Sequence, residues 1–277
     1  MKKITFILFM AVFASCGNHE ENAELQEQKD TVTVETVEEE VSVENDSEVS
    51  YSLPSPLQIA FLFKNSGLGY QAGITHDPSK AKNYNTKAAQ LLNLGVYSAD
   101  MAYNVLHNQT QEAINYLKVM NELSEKLWMT DVFNNNNLRE RFEKNIGNPD
   151  SLAYIIADMQ MELDNYLEEN EMEDASVVVF AGAWIESMYL AAQTSNLNDN
   201  QRLNVKLSEQ AIILESLVNL LEHKYPEGTE NLINGLKDLQ TVLKPLDDES
   251  EDIPFLSKEE LQQLKEKIEA LRAEITA

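Results

Sequence analysis

Residues 175–193 read ASVVVFAGAWIESMYLAAQ, and the conformation assigned to this run decides the fold. The valines at 177, 178 and 179 would suit a buried strand, because branching at Cβ favours extended backbone. The run continues for sixteen residues past Val179 without a turn signal, however, which is far longer than an ordinary strand. The reading is therefore a helix from Glu171 to about Ser195. It is apolar almost all round, and a helix of that kind belongs at the centre of its domain. Glu186 is the one charge within its apolar part.

A second stretch echoes the first. In the helix that runs through AAQLLNLGVYSADMAYNVLH (88–107), Gly95-Val96-Tyr97 with Met101 parallels Gly182-Ala183-Trp184 with Met188, at an offset of 87. Glycine inside a helix costs about 1 kcal/mol relative to alanine. The same cost at two comparable places predicts a compensating gain, a close crossing of the two helices with Tyr97 and Trp184 beside it. An internal duplication and a shared packing demand both account for the echo.

Helix signals recur outward from this pair. Ser55-Pro56 opens a short apolar helix ended by Gly67. The stretch GLGYQAGITHDPSK (67–80) is loop. Thr110 caps QEAINYLKVMNELSEKLW, and a shorter helix follows the asparagines at 134–137. Gly147-Asn148-Pro149-Asp150 is the clearest punctuation, with Asp150 or Ser151 capping a helix over 151–169. Asn198 to Asn200 turn into one helix ending near His223, and another covers 229–243. Past an acidic loop from Pro245 to Pro254, Ser257 and Glu260 form a capping box for the last helix, to about Ala273. Its apolar positions, 261, 264, 268, 271 and 275, make a narrow stripe suited to a coiled-coil-like or peripheral contact, so the rest is expected to fold without it. The fold class is all-α over 51–277. It is an antiparallel multi-helix bundle or a helical-repeat-like array of about eight to nine helices.

Composition bounds the function. The chain has 277 residues, with 47 acidic against 21 basic side chains and a net charge of -26. Such a charge repels phosphate backbones and excludes nucleic acid as a partner. Cys16 is the only cysteine, so disulfides and thiolate clusters are out. It follows MKKITFILFMAVFAS, a basic start, a short apolar core and small residues. This closely resembles a lipoprotein signal peptide (1–15) cleaved before a lipidated cysteine, although Phe13 stands where leucine is usual. From Cys16 to residue 50 the acids from Glu20 to Glu48 face Lys29 alone, with no aromatic residue. That composition predicts an acidic, disordered tether. The lipid bilayer, reached through acylated Cys16, is the first expected partner.

Catalytic signatures are missing: HExxH, a phosphate-binding glycine loop, GxSxG and GxGxxG do not occur. No catalytic residue, metal ligand or cofactor is assigned. His19 lies in the tether. His107 and His223 stand near helix ends, where a histidine complements the helix dipole. Asp100 and Glu186 are carboxylates in apolar surroundings, and buried charges must be paired or line a cavity. Either they meet an arginine such as Arg139 or Arg141, or they contact a ligand. Tyr70, His76 and Asp77 sit in the glycine-rich loop that would close over such a ligand. Tyr97, Tyr103, Trp184 and Tyr189 are either core or the wall of a ligand site.

The stretches SPLQIAFLFKNSG (55–67), LNLGVYSADMAYNVLHNQTQEAINYL (92–117), GNPDSLAYI (147–155) and AGAWIESMYLAA (181–192) resemble an uncharacterised family of all-helical Bacteroidetes envelope lipoproteins. The resemblance covers most of residues 53–223 and implies no mechanism. It implies an envelope protein, lipid-anchored on the periplasmic side of the outer membrane or displayed at the surface. The expected function is non-catalytic, binding or scaffolding, with a protein or small solute held between helices. The alternative is an enzyme or metal-binding protein whose carboxylates share a cleft. His76, Tyr97, Asp100, Trp184 and Glu186 are the candidate ligand contacts on either reading.

Overall fold

The computed structural model describes residues 53–129, 132, 137–194, 199–224, 227–245 and 254–277. The signal peptide, Cys16, His19, the acidic stretch to residue 50 and most of the asparagine tract lie outside the described residues. Among those that are described there are ten α-helices, one 3-10 helix and no strand. In chain order they are α1 (Pro56–Asn65), the 3-10 helix (Pro78–Asn83), α2 (Lys87–Leu106), α3 (Thr110–Lys126) and α4 (Leu138–Lys144). Then come α5 (Pro149–Glu169), α6 (Glu173–Ala192), α7 (Gln201–Ser208), α8 (Gln210–Lys224), α9 (Glu230–Leu239) and α10 (Lys258–Ile275). The fold is an all-helical bundle.

Capping chemistry sets many of these boundaries. Ser55 with Gln58 and Ser257 with Glu260 close full capping boxes at α1 and α10. Thr86 accepts from the Ala89 amide at the start of α2. The cap of α5 is Asn148, whose side chain accepts from Ser151, rather than Asp150 or Ser151 themselves. Pro149 at the first helical position requires its cap one residue earlier. The single helix expected up to His223 is two, α7 and α8. Glu209 between them stays in the right-handed helical region (φ -58°, ψ -20°), so the junction is a bend and not a loop.

Helix α6 fills the centre as its composition demands. Asp174–Ala192 is long and apolar enough to cross a membrane, yet 89% of that window is buried inside the bundle. Its main partner is α2, also 20 residues long, and the two make the most extensive helix pair of the fold. Their crossing is close. A Cβ on Gly95 would stand 1.9 Å from the Val179 carbonyl oxygen, and one on Gly182 would stand 1.9 Å from that of Leu92. Each backbone occupies the space left by the other's missing side chain.

Helices α9 and α10 run antiparallel. Within the α9–α10 pair, Gly235 faces Leu271 while Asp238 meets Lys267. The central pair differs. Gly95 faces Val179 and Ala183, and Asp100 comes within reach of Glu186, so position rises together on both helices. Helices α2 and α6 are therefore parallel, with equivalent glycines at the crossing. Among the described residues three helices, α3, α4 and α5, lie between them in sequence and return the chain to its starting end.

Helix α10 is not peripheral. Leu261, Leu264, Ile268, Leu271 and Ile275 are all buried, and the helix packs on α6, α9 and α2. It runs antiparallel to both central helices. Arg272 meets Glu186 and Glu269 meets Gln193 on α6, while the Ile275 carbonyl accepts from Asn93 on α2. A narrow stripe suffices because it is laid along the groove between two parallel helices.

Candidate functional site

Four of the five candidate contacts converge. Asp100 on α2 and Glu186 on α6 sit one turn or so beyond the glycine crossing, on the side that α10 covers, and both are 0% exposed. The partner of Glu186 is Arg272, which donates from Nε to Oε2 at 2.6 Å and from a terminal guanidinium nitrogen to Oε1 at 2.8 Å. This bidentate pair corrects the expectation of Arg139 or Arg141. Those arginines pair with Glu143 on α4 and Asp158 on α5, with side chains open to solvent. Arg272, with only 14% of its side chain exposed, also lies over the Tyr189 ring, 4.1 Å from its centroid. Burial alone would lower the guanidinium pKa, but the hydrogen bonds and charge of Glu186 outweigh it and raise it.

The loop 67–78 is clamped onto α2 and α3 and does not hang free. The His76 amide donates to Asp100 Oδ2 at 2.9 Å, and the His76 carbonyl accepts from the Tyr116 hydroxyl at 3.0 Å. The Tyr97 hydroxyl donates to the Asp77 carbonyl at 3.1 Å. Tyr103 accepts from the Gln71 amide and donates to the Gly69 carbonyl. The His76 ring stacks on Tyr97, and its Nε2 lies 2.6 Å from the Tyr84 hydroxyl. Burial, with Arg272 nearby, lowers the His76 pKa to about 4, so the imidazole is neutral near pH 7. Burial likewise pushes the Tyr84 hydroxyl up to about 12.

Trp184 does not join this group. Its Nε1 donates to Gln210 Oε1 at 3.2 Å, toward α8. The proposed aromatic wall is thus divided: Tyr97 and Tyr103 hold the loop, Tyr189 supports Arg272, and Trp184 is core. His107 also departs from expectation. Burial lowers its pKa to about 4, so it ends α2 as a neutral ring and not as a cation on the helix dipole.

Electrostatics single out Asp100. Burial, then the Glu186 charge, drive its pKa well above the usual carboxylate value, against the smaller pull of Arg272 and the His76 amide. Its Oδ2 is occupied by that amide, but its Oδ1, also buried, accepts no hydrogen bond. Sequence reasoning found Asp100 and Glu186 because each interrupts an apolar run. It missed Arg272 and Tyr84, whose positions in a polar helix and a loop carry no signal of burial. Among the described residues no group of three His, Cys, Asp or Glu side chains is placed to hold a metal ion.

A separate concavity of about 430 Å³ lies between α3 and α4. Leu117 and Leu138 form its buried floor with Ile114 half-buried beside them, and Asn115, Lys118 and Arg139 stand exposed at its rim. No family model matches the chain, and no curated protein or solved structure matches it.

Proposed function

We propose that the chain is a membrane-tethered envelope lipoprotein of the kind its sequence resembles, whose helical domain binds or scaffolds and does not catalyse. The observation that carries the non-catalytic reading is the burial of Asp100 and Glu186, with Glu186 neutralised by Arg272 and packed under α10. Carboxylates so placed hold four elements together and present no surface to a substrate. The groove between α3 and α4 is the better place for a protein or small-solute partner, having an apolar floor and a polar rim.

The tethering half of the reading rests on the basic start, the apolar core and the small residues before Cys16. A fatty-acid analogue fed to expressing cells is expected to label the wild-type chain and not Cys16→Ala. The wild type should fractionate with membranes, and the variant should be released or left unprocessed. A Cys16→Ala chain that is processed normally and remains membrane-bound defeats the proposal. The enzyme alternative, with Asp100 or Glu186 acting on a substrate, would need α10 or the loop 67–78 to open.

A further inference from the structure

The unpartnered oxygen of Asp100 stands beside a second carboxylate in the interior. Both Glu186 oxygens are engaged by Arg272, so one guanidinium faces two acids and balances one. An ionised Asp100 would leave a buried negative charge without a counter-ion and a buried acceptor without a donor, each of them costly. A single proton on Oδ1 removes both defects. The acid O–H then donates to Glu186, Oδ2 still accepts from His76, and the cluster is electrically neutral.

We infer that Asp100 is a proton-binding site, a neutral carboxylic acid in the native protein near pH 7, and that its proton bridges the two central helices as a hydrogen bond from Asp100 on α2 to Glu186 on α6. The groups that face it agree with this assignment. From α6 come Glu186 and Tyr189, from α10 Arg272, from the loop His76, from α3 Tyr116, and from α2 itself Tyr97 and Tyr103. Arg272 is the one cation in this set and Glu186 already holds it, since His76 is neutral. Loss of the proton places two adjacent anions under one arginine. The His76 amide and Arg272 favour the charged form, but burial and the Glu186 charge outweigh them, so loss of the proton weakens the packing of α2 on α6.

Asp100→Asn tests this, because an amide reproduces the protonated acid: Oδ1 accepts from His76 and Nδ2 donates to Glu186. Folding equilibria of the full chain, by urea unfolding, are compared between variant and wild type across pH. An acid whose native pKa is raised makes stability fall as pH climbs from its unfolded value to its native one. The ratio of folding constants, variant over wild type, is therefore expected to grow by about tenfold per pH unit through that window. A constant ratio, or one that falls with pH, overturns the assignment. If Asp100→Asn does not fold, wild type with its aspartate γ-carboxyls isotopically labelled decides alone. A protonated-aspartate carbonyl stretch at about pH 7 supports the proposal, and its absence there refutes it.

Discussion

Gly95 and Gly182 show how one missing methyl group can set the geometry of a bundle. A Cβ at either position meets main-chain atoms of the facing helix, and no rotamer change can move those. Alanine there must push the helices apart and disturb the contacts of the largest pair in the fold. Gly95→Ala and Gly182→Ala are each expected to destabilise by about 3 kcal/mol or more, the upper end of overpacking costs. Gly235 is the internal control. Its added Cβ would meet Leu271 Cδ1 at 2.5 Å, the far end of a flexible side chain, so Gly235→Ala should cost less than about 1 kcal/mol. Urea midpoints of the three variants check this, and equal effects at all three would remove the crossing from the explanation. The sequence shows that these two glycines need a reason, since each sits in an apolar helix. It does not show which atoms they admit, because helix register is set by contacts between distant segments.

Helix α10 carries the same lesson one level up. Its stripe of five apolar residues and its capping box are plain in the sequence, and both are present in the fold. What the stripe packs against is not legible, because a polar-faced helix with a narrow seam looks alike on a surface and in a groove. The position of Arg272 is hidden for the same reason: its partner is 86 residues away on α6. Fully burying a leucine or isoleucine contributes roughly 1.5–3 kcal/mol. Five such residues bring α10 into the range of a whole domain's stability, about 5–15 kcal/mol. Its loss would also leave Glu186 buried without Arg272, at a cost of about 3–5 kcal/mol. A chain ending after Asp247 is therefore expected to lose cooperative thermal unfolding and near-UV dichroism. A sharp transition in that truncated chain would return α10 to the periphery.

Across the whole molecule three sets of groups compete over pH, and their signs fix where stability peaks. Asp77, Glu140 and Glu260 have pKa values lowered by hydrogen bonds from Ser79, Lys144 and Ser257, so their contributions are lost as pH falls below the ordinary carboxylate range. His76 and His107 are lowered by burial from 6.5 to about 4. Between those values the unfolded chain binds more protons than the native one, so stability rises with pH and levels off near 6.5. Asp100 acts in the opposite sense, since its raised pKa makes stability fall as pH increases. Up to about pH 6.5 two histidines oppose Asp100 and the less buried Asp164, and beyond it Asp100, the neutral acid inferred above, acts unopposed, with the self-repulsion of a chain at -26 added to it. Stability is thus expected to peak near pH 6.5 and decline on the alkaline side, which urea midpoints from about pH 4 to 9 would trace. Salt separates the two alkaline causes. At about 1 M the screening length is near 3 Å, which suppresses repulsion between surface carboxylates but leaves the buried pair untouched. The decline should shrink in high salt and persist in part in the wild type, and the persisting part should vanish in Asp100→Asn. A wild-type curve still rising at about pH 9 would show that Asp100 is ionised in the fold and that the repulsion is too diffuse to matter.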